Sequence, residues 1–250
     1  MDYTEQIVLF LVALVANWFS ALAGGGAGLI QLPALIFLGL PFPLALATHK
    51  IATVALGAGA TARHLKEGHL DLGLLLLVCA VGAPAVLVGV LFILDVNPRY
   101  AQKALGVLTL ALVLYSVFKP HLGQEAQAKN RTLKGYFLGA LVLFSFGFMN
   151  GALSAGSGLF VTLWLVYWFG LDYKKAVAIT MVGVGLVWNA TGALSMGVMA
   201  PVQWSWLPAL LVGSLIGGFL GAHSSILAGN ALIKRAFEVV TFLAAVKLLL

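Results

Sequence analysis

The sequence predicts an all-α fold: a polytopic membrane helical bundle of two inverted repeats, each with a short or broken helix. Three observations predict it. The composition is 62% hydrophobic and 9% charged, with a mean hydropathy of +1.05, well outside the usage of soluble domains. The apolar residues fall into two sets of five runs separated by a polar connection. Motifs of the first set return in the second at a nearly constant offset.

The opening Met1-Asp2-Tyr3-Thr4-Glu5 lacks the basic start of a signal peptide, so the first run, 6–23, is expected to remain as a helix. Runs at 29–40, 44–62, 72–94 and 104–118 complete the first set. The connection "KPHLGQEAQAKNRTLK", 119–134, is followed by runs at 135–153, 159–171, 176–198, 204–227 and 236–250. The expected organisation is a first membrane repeat at 1–118, a cytoplasmic connection at 119–134 and a second membrane repeat at 135–250. Trp204 and Trp206 open a span and read as an interfacial belt. Gly213, Gly217 and Gly221 recur every fourth residue, the pattern of close helix packing or of a homodimer contact.

The duplication rests on particular residues. Gly26-Ala27-Gly28-Leu29 falls on Gly156-Ser157-Gly158-Leu159 at an offset of 130, and Thr48 falls on Thr180 at 132. Lys103-Ala104 on Arg235-Ala236 and Thr109 on Thr241 share the offset of 132. Basic residues decide between parallel and inverted halves. If neither short run changes sides, the 14 Lys and Arg split evenly and choose no orientation. If both do, the groups Arg63/Lys66, Lys119/Lys129/Arg131/Lys134, Lys174/Lys175 and Lys234/Arg235 share one face, leaving Lys50, Arg99, Lys103 and Lys247 opposite. The positive-inside rule then favours an inverted repeat with the connection cytoplasmic and both termini outside. The net charge of +6 is thus spent on orientation, and no nucleic-acid surface is implied.

The short runs carry the site. "AGGGAGLIQLPALIFLGLP", 23–41, and "LSAGSGLFVTLWLVYWFGL", 153–171, offer about 12 apolar residues each, against the roughly 20 that a crossing needs. Such segments use half-length helices, and glycine permits the tight turn that starts one. The helix N-termini so exposed attract anions. Candidate substrate-binding residues are Gly24, Gly25, Gly26, Gly28 and Gln31 in the first copy, and Asn150, Ser154, Gly156, Ser157 and Gly158 around the second. Thr48, His49, Lys50, Thr180 and Asn189 join them from neighbouring runs. Lys50 lies inside an apolar run, where a charge costs about 2.5–3.5 kcal/mol on insertion scales, so a polar cavity or snorkelling to the surface must answer for it. Thr53 is a further polar residue of the same run.

The glycine run followed by "LIQLPALIFLGLPFPLALATHK", the later "GSGLF" and the basic "NALIKRAF" before the last run resemble the sulfite exporter TauE/SafE family of permeases. The resemblance implies an inner-membrane permease exporting small anions such as sulfite or organosulfonates through a duplicated bundle. Where the family pattern often has Thr-Asn-Lys this chain has Thr48-His49-Lys50, and the second half has Thr180-Met181-Val182, without a basic residue.

The expected function is a secondary transporter exporting a small anion, sulfite, an organosulfonate or a similar oxyanion or carboxylate, by alternating access. No nucleotide-binding motif is present, which leaves the anion gradient or a coupling ion, proton or sodium, as driving force. No cofactor is called for, and the loop "RHLKEGHLD", 63–71, lacks any metal-site spacing. Two alternatives are a rhomboid-like intramembrane serine protease, with Ser157 as nucleophile and His223 as base, and a passive anion channel. Against the protease stands Ala27, which holds the position matching Ser157 in the other copy. Carboxylates are scarce in the runs, Glu238 being the evident one, which weighs against a cation permease.

Overall fold

A computed structural model describes residues 3–68, 70–92, 98–154 and 156–249. The helices are α1 (Tyr3–Ala23), α2 (Ala27–Phe37), α3 (Phe42–Leu65), α4 (Leu72–Phe92) and α5 (Pro98–Val117), then α6 (Leu133–Leu153) and α7 (Ser157–Tyr167). The eighth, α8 (Tyr173–Thr180), runs through a π-helical stretch (Met181–Trp188) into α9 (Asn189–Met199). A 3-10 turn (Trp204–Trp206) leads into α10 (Leu207–Leu249), broken at Gly229 by a φ of 72° and ψ of 163°. Among the described residues, five apolar stretches are long enough to cross a membrane: Tyr3–Ala23, Leu72–Phe92, Leu133–Leu153, Tyr173–Met199 and Trp204–Lys247. The two short runs form helices of 11 residues each, α2 and α7.

Local chemistry sets the boundaries. Gly24, Gly25 and Gly26 all take positive φ between α1 and α2, a run that only glycine accepts cheaply. In the second copy Ser154 (φ 56°) and Gly156 (φ 74°) do the same between α6 and α7. Thr132 and Asp172 cap α6 and α8, their side-chain oxygens accepting from Gly135 N at 3.2 Å and Lys175 N at 2.8 Å. The run predicted at 104–118 starts earlier, at Pro98, whose fixed φ suits a first helical position.

Two glycine seams hold the bundle together. Gly213, Gly217 and Gly221 of α10 lie against the carbonyls of Phe10, Leu14 and Trp18 of α1, with no room for a Cβ. The stripe is therefore filled by α1 of the same chain. Gly89 of α4 and Gly147 and Gly151 of α6 form the matching seam, against Phe148 O, Gly82 O and Val86 O. Each seam joins the two sequence halves, so the halves are interleaved rather than side by side. Between the seams, α3 passes the π-helical stretch at Gly57 and Gly185 and passes α10 at Gly59 and Gly218. Exposed Ile7, Leu11 and Val15 on α1, and Leu87 and Leu91 on α4, give apolar outer faces suited to lipid.

The charged links collect at one end. Arg131 pairs with Asp71 at 3.0 Å, Lys234 Nζ donates to Pro120 O at 3.1 Å, and Asn230 Nδ2 donates to Gln124 O at 2.8 Å. Gln127 N bonds Gly170 O at 2.8 Å in the link after α7. Elsewhere Gln6 Nε2 donates to Ser205 O at 3.1 Å, and Gln203 N to Thr48 Oγ1 at 3.0 Å, joining the start of α1 and the first turns of α3 to the link before α10. In the 63–71 loop, Arg63 pairs with Glu67 at 2.8 Å and Asp71 Oδ1 accepts from Leu74 N at 3.0 Å, while His69 lies outside the described residues.

Candidate functional site

The two half-length helices meet at their N-terminal ends. Gly25 is so close to Gly158 and Leu159 N that a Cβ there would lie 2.5 Å from that nitrogen, and a Cβ on Gly28 would lie 2.7 Å from Ser154 O. Gly26 and Gly156, both left-handed, precede the first turns of α2 and α7, and no side chain caps either helix. The first N–H groups of a helix have no intrahelical acceptor, so two sets of donors and two positive dipole ends converge.

A small cavity of about 30 Å3 lies at this crossing. A single water needs about 10–15 Å3, so the space suits two or three. Its walls include Gly25, Gly26, Gly28, His49, Asn150, Ser154, Gly156, Ser157, Gly158 and Asn189, ten of the residues singled out from sequence. Ser20, Ala27, Thr53, Leu56, Met181, Val184 and Gly185 complete it. The last three come from the π-helical stretch, whose wider turn is a frequent device at functional sites.

Lys50 stands just behind the wall, fully buried. Its ammonium donates to Asn150 O at 2.5 Å and Asn150 Oδ1 at 2.8 Å, both neutral oxygens in the last turn of α6. A helix C-terminus is electronegative, which offsets part of the charge's desolvation. Gly192 makes the space: a Cβ there would come within 3.1 Å of Lys50 Nζ. Asn150 also donates from Nδ2 to Ser157 Oγ at 2.8 Å and lies 3.4 Å from Asn189 Oδ1, linking the lysine to the first turn of α7. His49, 1% exposed, lines the cavity and has no partner for Nδ1.

The other singled-out residues lie outside the lining. Gly24 offers its carbonyl to Thr162 Oγ1 at 2.7 Å, and Thr180 Oγ1 lies 2.9 Å from the same hydroxyl, so this pair braces the first glycine turn. Gln31 Oε1 accepts from Asn17 Nδ2 at 2.8 Å, a bond that ties α2 back to α1. Thr48 Oγ1 donates to Leu44 O at 2.7 Å and holds the link before α10. Thr48 and Thr180 thus match in sequence but not in partners. Sequence reasoning missed Ser20, which matches Asn150 at the repeat offset of 130 and faces the same cavity. It also missed Asn17, Thr162 and Gly192, single residues whose partners lie far along the chain.

The serine-protease constellation is not brought together. Ser157 Oγ is bonded to Asn150, and His223 Nδ1 accepts from Arg63 Nε at 3.1 Å near the charged end.

Comparison with known proteins agrees with this architecture. The family described as "Sulfite exporter TauE/SafE" matches residues 9–248. A probable membrane transporter protein of Haemophilus influenzae is 29% identical over 244 residues, covering 96% of this chain and 93% of its own. Probable membrane transporter proteins of a Sinorhizobium species and of Escherichia coli are each 28% identical over 242 residues. They cover 96% and 97% of this chain and 91% and 88% of their own. No solved structure matches. Nearly the whole chain is thus accounted for by one group of multi-pass membrane transporters, and it belongs to the sulfite exporter TauE/SafE family.

Proposed function

We propose that the protein is a secondary transporter of the inner membrane that exports a small anion, sulfite, an organosulfonate or a similar oxyanion or carboxylate, through the crossing of α2 and α7. One observation carries the reading. The Lys50 ammonium is buried beside two uncapped helix N-termini, and its bonded partners are neutral. Each helix end adds the equivalent of about +0.5 charge, so the site holds positive charge that an anion would complete. The substrate-binding set is the cavity lining named above, with Lys50 behind it, Gly24 and Thr180 in the brace of the first glycine turn, Gln31 tying α2 to α1 and Thr48 holding the link before α10.

The two halves, 1–118 and 135–250, are read as inverted repeats about this crossing, with the 119–134 connection cytoplasmic. Supporting this are the paired seams, α1 on α10 and α6 on α4, which exchange when the halves are interchanged. Also supporting it is the gathering of basic links at one end. Alternating access is supported by the tightness of the space, about 30 Å3, which would have to widen to load the four heavy atoms of sulfite. Because the seams bind each half to the other, the bodies that rock are the mixed pairs α1 with α10 and α4 with α6. A proton or sodium gradient, or the anion gradient itself, supplies the drive.

Counterflow in proteoliposomes tests the reading. Unlabelled sulfite on one side should accelerate movement of labelled sulfite from the other. A channel would show flux without that acceleration. Absence of flux for sulfite, thiosulfate, sulfonates and small carboxylates would contradict anion transport itself.

A further inference from the structure

A second, larger space of about 250 Å3 opens at the charged end, lined by His64, Glu67, Asp172, Lys174, Ala178 and Asn230 among others. Two helices build both this cleft and the central cavity. On α3, Thr53 and Leu56 face the cavity and His64 faces the cleft. On the other wall, Ala178 faces the cleft and Met181 the cavity. Ala178 and Met181 are separated by about 4.5 Å of helix rise and Leu56 and His64 by about 12 Å, so the two spaces are stacked along one seam, less than one turn apart on one wall and just over two on the other. Leu56 and Met181, each 2% exposed, stand at that partition.

The cleft has unspent anion-binding chemistry of its own. Glu67 is paired with Arg63 and Asp172 with Lys175, which leaves Lys174 in no ion pair among the described residues. Independently, His64 lines the cleft while 97% buried, and its Nε2 has no hydrogen-bond partner among the described residues. A buried imidazole nitrogen left unpaired is costly unless something fills the space beside it.

We propose that this cleft is an outer oxyanion-binding site, at Lys174 and His64, where the transported anion is held before it passes Leu56 and Met181 into the central cavity. The inference rests on the anion-transport reading above. Because the charged links face the cytoplasm in that reading, the outer site is the loading chamber of an exporter. Its ligand is a free small oxyanion. An anionic lipid headgroup shares that chemistry and is the rival source.

The test is a calorimetric titration of sulfite into the purified protein in phosphatidylcholine nanodiscs, which contain no anionic lipid. Two sites are expected. Lys174→Gln and His64→Phe should each remove one, and Lys50→Met the other. In proteoliposomes, Lys174→Gln should raise the half-saturation concentration about three- to tenfold from the connection side alone, with the maximal rate unchanged. A single sulfite site, lost in Lys50→Met and unaffected by Lys174→Gln, would overturn the outer chamber and leave the central reading standing. A Lys174-dependent signal that appears only when phosphatidylglycerol is added would assign the cleft to lipid and overturn it as well. No sulfite binding at all would end both readings.

Discussion

At the scale of single residues, the account turns on a buried lysine whose bonded partners are neutral oxygens. Lys50→Met keeps an unbranched apolar stem and removes the ammonium held by Asn150. It should abolish sulfite flux while the protein still folds and inserts, as read by size exclusion in detergent. Asn150→Asp makes the opposite change. A carboxylate 2.8 Å from Nζ would satisfy Lys50 from within, so the melting temperature should not fall. Sulfite affinity should drop tenfold or more, about 1.4 kcal/mol, because the site's charge is already balanced. Stabilisation by sulfite that survives in Asn150→Asp would show that this charge does not bind the anion. The glycines separate by the same reasoning. A Cβ on Gly156 (φ 74°) would meet nothing nearer than Phe160 at 3.6 Å, so Gly156→Ala should cost only its backbone strain, about 1–2 kcal/mol. At Gly25 the added carbon would press on the backbone of Gly158 and Leu159, and Gly25→Ala should cost more than about 3 kcal/mol and prevent the helices from crossing. Melting curves of the two variants decide the contrast.

At the scale of elements, the seams and the breaks do different work. Gly217→Leu should force α10 off α1 at Leu14 O and leave little folded protein, read as loss of the monodisperse peak. What sequence could reveal follows from the same distinction. Half-length helices were legible in 23–41 and 153–171 because a positive-φ turn demands glycine, and that demand is local. Nine of the ten singled-out cavity residues lie on or beside those turns, or on α3 next to Lys50, and Asn189 comes from the start of α9. The π-helical stretch at Met181–Trp188 was not legible, since "MVGVGLVW" reads as an ordinary apolar run and its widened turns arise only against α3 and α4. Nor was the role of Gly192, whose only signal is the missing side chain that Lys50 needs from 142 residues away. Thr48 and Thr180 show the converse limit: a shared repeat position did not give them a shared environment.

At the scale of the whole molecule, interleaving explains how one small cavity can be served by both halves. Each half contributes one glycine turn and one long helix of the wall, α1 with Ser20 and α6 with Asn150. In the proposed transport cycle the seams α1–α10 and α4–α6 would move as units, while α3 and the helical wall of α8 and its π-helical continuation line both the cavity and the cleft. The central claim is that a small oxyanion sits between the N-terminal ends of α2 and α7. Selenite, a heavier relative of sulfite, makes that claim visible by anomalous diffraction from crystals grown in lipid. The account predicts a selenium peak among Gly26, Gly28, Gly156 and Gly158, on the side of Asn150 and Lys50, and its loss in Asn150→Asp. At a selenite concentration near the dissociation constant of the unaltered protein, a peak confined to some other part of the bundle, or an undiminished one in Asn150→Asp, would contradict it.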